Sequence, residues 1–130
     1  LNLSLGSEQL DKIENILQSD LMGLGIHCIV LLDMAGNIIA DLDDGKVKFD
    51  VYSLAALAAG NFGAVSTMAQ MIGEEEIVLL FYKGKKENIY FSKVSTDFLL
   101  ITIFGHDLSL GFTRLKVAEA IEKIEKILGA

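Results

Sequence analysis

The chain has 130 residues, a net charge of −7 and a pI near 4.7, and it is 52% hydrophobic against 22% charged. This length fits one domain, 1–130, with a single core and no need of disulfide staples, and the acidic balance excludes nucleic acid as a partner because phosphates would repel it. The lone cysteine, Cys28, cannot close an internal disulfide, so a reducing cytoplasm fits.

The N-terminal stretch LNLSLGSEQL has no basic region followed by an apolar run, so no signal peptide is expected. Ser7 is the expected N-cap of a first helix, with Glu8 and Asp11 favourable to its dipole. Leu10, Ile13, Leu17 and Leu21 give it one apolar stripe, and Gly23 or Gly25 should end it. Ile26 to Leu32 follows as a strand that is apolar on both alternations, as a strand covered on both faces should be. Asp33-Met34-Ala35-Gly36-Asn37 reads as a hairpin turn with Gly36 at positive φ, leading to a second strand from Ile38 to Leu42. Asp41-Leu42-Asp43-Asp44-Gly45 is a carboxylate-rich loop, but its spacing lacks the oxygen ligands of a calcium loop and predicts a solvated turn.

Asp50 should cap a middle helix that runs to about Gly73 without one charged side chain. Val51, Leu54, Ala58, Phe62, Val65, Ala69 and Ile72 make its core stripe at 100° per residue. The opposite side carries Ala56, Gly60, Gly63 and Thr67, flanked by Tyr52, Ser53, Ala59 and Gln70. A water-facing side normally holds Lys and Glu. Each helix-interior glycine costs about 1 kcal/mol relative to alanine, while small residues let another backbone approach. A helix fully buried within a monomer needs a larger chain to cover both sides. A transmembrane span has the length, but Asn61, Ser53, Ser66, Thr67 and Gln70 make it too polar. The pattern therefore predicts a face closed by a second subunit or partner.

A third strand is expected over Ile77–Tyr82, then a basic turn at Lys83-Gly84-Lys85-Lys86, a strand from Asn88 to Val94 and a last strand from Phe98 to Phe104, the three forming an antiparallel meander. The last helix opens near Ser109 and runs to Leu128 with a stripe of Leu110, Val117, Ile121, Ile124 and Leu128. Glu119 with Lys123, and Glu122 with Lys126, are expected ion pairs on its wet side. The fold class is α+β in the order α-β-β-α-β-β-β-α. A five-stranded antiparallel sheet would carry the middle helix on one face and the other two on the second. If the third strand lies at the sheet edge, its uncharged residues, with Ile77, Leu79 and Phe81 among them, leave it unprotected against pairing with its own copy.

No catalytic constellation is found. The basic turn is not a Walker loop, and no G-x-G-x-x-G is present. His27 and Cys28 are expected on opposite sides of a strand, His106 sits in a loop, and Cys28 reads as a small core residue. No cofactor or metal is expected.

Taken together, the order and local motifs resemble the roadblock / dynein light chain family, with its profilin-like three-layer sandwich. The residues that carry the resemblance are Leu31-Leu32-Asp33-Met34-Ala35-Gly36-Asn37, the helix segment Leu54-Ala55-Ala56-Leu57-Ala58-Ala59-Gly60, and Ser109-Leu110-Gly111-Phe112-Thr113-Arg114. The resemblance implies a dimer with paired middle helices and a sheet continuous across the third strand. It also implies regulation or scaffolding of a Ras-like small GTPase. Arg114, the sole arginine, is expected to bind local backbone or carboxylates, so activation would proceed without an arginine finger. A non-catalytic scaffold or motor-adaptor subunit is the alternative reading, and a small-ligand sensory module a further one.

Overall fold

The computed structural model describes residues 5–129; of the N-terminal stretch read above for a signal peptide, the first four lie outside them. Five strands form one antiparallel sheet in the order β2-β1-β5-β4-β3, with β1 Cys28–Asp33, β2 Ile38–Asp43, β3 Leu80–Lys83, β4 Glu87–Val94 and β5 Phe98–Gly105. Helix α1 spans Ser7–Ile16, α2 Val51–Met71 and α3 Leu110–Ile127. The predicted element order stands, and so does the division of the helices between the two faces.

The most apolar strand takes the centre. All eight residues of β5 are buried, because β1 and β4 flank it and helices cover both faces. On one face Ile13, Leu17, Leu21, Val117, Ala120 and Ile124 pack on Ile29, Leu31, Leu100 and Phe104. On the other, Ala55, Ala58 and Phe62 of α2 pack on Cys28, Val30, Leu32, Leu99 and Ile101. The Asp33–Asn37 turn forms as expected. Gly36 has φ +91°, and the Asp33 carboxylate accepts from the amides of Ala35 and Asn37 at 3.0 and 2.9 Å. A Cβ on Gly36 would come within 3.2 Å of the Ala56 Cα, so the hairpin tip rests against the α2 backbone.

Gly25, one of the two glycines expected to end the first helix, does so at φ +99°, after a π turn over Leu17–Leu21 and a 3-10 turn over Met22–Leu24. Four expectations need correction. Gly6, not Ser7, caps α1, and the Gln9 side chain accepts its amide at 3.0 Å. Ile72 is not in the core stripe; α2 stops at Met71 and Ile72 is 80% exposed. The α3 pairs expected at i,i+4 give way to other partners, Lys123 reaching Asp20 at 2.7 Å and Lys116 reaching Glu119 at 3.4 Å. The third strand begins only at Leu80 and takes in Lys83, so Ile77–Leu79 lies outside the sheet.

Candidate functional site: an uncharged helix face beside an open sheet edge

Helix α2 is built to lie on the sheet, yet it buries little of itself. The Asp50 carboxylate accepts from the Tyr52 amide at 3.1 Å and from Ser53 Oγ at 2.8 Å. The bond from Ser53, then that from the Tyr52 amide, holds the Asp50 carboxyl below its ordinary pKa. Only Ala55, Ala58 and Phe62 are fully buried, while Val51, Leu54, Val65 and Ala69 are half-buried. By length and composition the helix could cross a membrane. Here it packs along the sheet with its other side open.

Of the residues predicted for the interface, Tyr52, Ser53, Ala56, Gly60, Gly63, Thr67 and Gln70 are all exposed. Ala59 is half-buried at the flank. Neither Gly60 nor Gly63 has any heavy atom within 4 Å of where a Cβ would stand, so nothing in this chain requires a glycine there. Sequence reasoning missed the large members of the same surface. Leu57 is 73% exposed, Met71 is 81% exposed, and Met68 is also out. The signal was available, since at 100° per residue all three fall within about 80° of Gly60. An exposed run of apolar and small side chains, bounded by Asp50 at one end and Glu74-Glu75-Glu76 at the other, is therefore presented whole.

The second part of the site is the sheet edge. β3 pairs only with β4, from Leu80 opposite Phe91 to Lys83 opposite Asn88, and its outer side has no strand among the described residues. Of the residues predicted there, Phe81 stacks on Phe104 at 6.2 Å between ring centres, so its ring belongs to the core and only its backbone is at the edge. Ile77 is half-buried against the α2 side of the core, and Leu79 is exposed. Tyr82 stands edge-on to Phe91, and its hydroxyl accepts from Asn61 Nδ2 at 3.0 Å. This bond ties the edge strand to the middle of α2 and makes one continuous surface of the two.

The groups that could carry other chemistry lie elsewhere. Burial pushes the Cys28 thiol up to about 11, with Asp43, Asp41 and Asp44 adding to the effect, so it is neither thiolate nor nucleophile at neutral pH. His27 lies just before β1, and its Nδ1 meets Glu87 at 2.8 Å. Both His27 and Cys28 border an open pocket of about 700 Å³ beneath Lys46–Phe49, so they diverge less than expected. Among the described residues no group of three His, Cys, Asp or Glu side chains could hold a metal ion. Arg114 Nη2 donates to the Val78 carbonyl at 3.5 Å, the local backbone contact expected of it.

A family model for the Roadblock/LC7 domain matches residues 14–104. Among solved structures, MglB of Myxococcus xanthus is 30% identical and superposes with a TM-score of 0.84 over 91% of this chain and 95% of that one. The gliding protein MglB of Thermus thermophilus is 23% identical with a TM-score of 0.86 over 98% and 96%. Profilin II of Acanthamoeba castellanii, at 16% identity, shares the fold with a TM-score of 0.60 over 86% and 95%. No curated protein matches the chain.

Proposed function

The chain belongs to the Roadblock/LC7 family, and from that premise we propose that it acts as a dimeric regulator of a Ras-like small GTPase. One observation carries the reading: the outward face of α2 has no charged side chain and lies beside a bare strand edge. A two-fold axis along that edge would join two β3 strands into one sheet and set two α2 helices side by side, with Gly60 and Gly63 letting the backbones approach. The interface of two copies then comprises Tyr52, Ser53, Ala56, Ala59, Gly60, Gly63, Thr67 and Gln70 with the backbone of β3, and Ile77 and Leu79 at its margin. The part of the paired helices left open is the platform for the GTPase.

Regulation on this reading needs no group inserted among the phosphates. The sole arginine is engaged with backbone near the sheet edge, and an arginine finger must reach out from an exposed loop. The platform instead favours one arrangement of the partner's switch segments, which is a differential-binding effect. The protein would work in the cytoplasm, where such GTPases act. Single-turnover GTP hydrolysis by a Ras-like small GTPase from the same organism, with and without a stoichiometric amount of this protein, tests the proposal. Faster turnover with tighter binding to the GTP-loaded form is expected. Binding with unchanged turnover would leave a scaffold or motor-adaptor subunit, and no binding to either nucleotide form would overturn the reading.

A further inference from the structure

The sheet is incomplete at one place. β3 covers β4 only over Asn88–Phe91, so Ser92, Lys93 and Val94 bond to β5 on one side and have no strand on the other among the described residues. Two grooves border this gap. One, of about 440 Å³, runs against Val117 and Ile121 of α3, and one of about 340 Å³ runs against Phe62 and Ala69 of α2. Ile77 and Val78 line both.

The segment that would fill the gap is already next to it. Leu80 is opposite Phe91, so continuing the register sets Leu79 opposite Ser92, Val78 opposite Lys93 and Ile77 opposite Val94. Side chains alternate along a strand. Leu80 packs with the α2-side core and Phe81 with the α1/α3-side core. Carried on, that alternation points Leu79 and Ile77 toward Val117 and Ile121, and Val78 toward Phe62 and Ala69. Each would enter an open groove, and Ile77 would share a face with Val94, which is already in the α1/α3-side core. As found, Ile77 packs with the α2-side core instead and Val78 is 81% exposed. The segment thus runs one position out of phase with the strand that it leads into. It has no glycine, proline or charge to oppose strand formation.

We propose that Ile77–Leu79 is a retractable half-strand that docks in register on Ser92–Val94 when a second copy pairs along β3. Docking lengthens the pairing edge from the four residues of β3 by these three, to Ile77–Lys83. The two events support each other, because backbone groups drawn away from water need partners on both sides. In the retracted path the Val78 carbonyl accepts a long 3.5 Å contact from Arg114, which docking would exchange for a ladder bond. The inference rests on the dimer proposed above and adds to it a way for assembly to be regulated within the strand.

Hydrogen exchange on the whole chain, at concentrations below and above self-association, tests this, with the mass read in parallel. On dimerisation the amides of Ile77–Leu79 and the Lys93 amide, the one of Ser92–Val94 that faces the gap in this register, should slow together, on the order of tenfold or more. Val78→Pro removes one amide from the docked strand and leaves Leu80–Lys83 untouched. It should weaken self-association about a hundredfold, a ladder hydrogen bond lost from each of the two copies at about tenfold apiece, with the helical circular dichroism unchanged. A dimer in which both segments exchange as fast as in the single chain, or which Val78→Pro leaves equally tight, overturns the half-strand and spares the dimer. A single-chain mass at every concentration overturns both.

Discussion

The two long helices of this protein are surfaced in opposite ways. α3 buries Thr113, Val117, Ala120 and Ile124 along one stripe and turns Glu119, Glu122, Lys123 and Lys126 to water. α2 has no charged residue from Val51 to Met71 and leaves Leu57, Met68 and Met71 in the open. Both helices lie on the same sheet in the same chain, so the difference is not a matter of overall composition. It shows that one sheet can carry a helix whose open side is charged and another whose open side has no charge at all.

The most damaging way to test that contrast is to give α2 the charge it lacks. Gly60→Glu meets no neighbour within the chain, so the folded monomer should tolerate it. Sedimentation should show self-association weakened by about 3–5 kcal/mol, the cost of an unpaired charge in a closed contact. The complementary change on α3 is Ile124→Ala. Ile124 is fully buried, so denaturant unfolding of the single chain should lose about 2–5 kcal/mol. A smaller effect of opposite sign separates folding from assembly: Gly63→Ala should stabilise the single chain by up to about 1 kcal/mol in thermal unfolding. The same substitution should loosen the dimer, since the added methyl stands where the second backbone approaches. If Gly63→Ala tightened both, the small residues would have no role in contact.

The least effect concerns the wet face of α3. Its bond to Lys123 holds the Asp20 carboxyl below its ordinary value of 3.8. A carboxyl with a lowered folded pKa contributes stability above 3.8 that is lost as pH falls through its folded value. Asp20→Asn should therefore flatten the acid limb of a stability-against-pH curve and change little at neutral pH, as expected of an exposed pair.

Much of this was legible in the residues, and what was not has physical causes. The caps Asp50 and Ser109 and the turn at Gly36 specify their elements locally, through side-chain oxygens near free amides and one positive φ. Periodicity located the exposed side of α2, although attention to its small residues hid Leu57, Met68 and Met71 on the same arc. The i,i+4 rule says which α3 charges can meet, not which partner wins; Lys123 turns instead to Asp20, carried in by the π turn after α1. Ile77–Leu79 has the composition of a strand, but strand formation depends on what lies on both edges, and a single chain supplies too little. That the open face pairs two copies of this chain is the proposal drawn from these residues, and a single chain does not contain the second copy.

Light scattering coupled to gel filtration at micromolar concentration tests that claim most directly. The account predicts a particle of two 14.1 kDa chains, reduced to one by Gly60→Glu with the helical signal retained. A wild-type particle of one chain, with Met68 and Met71 freely oxidised by solvent peroxide, would contradict it.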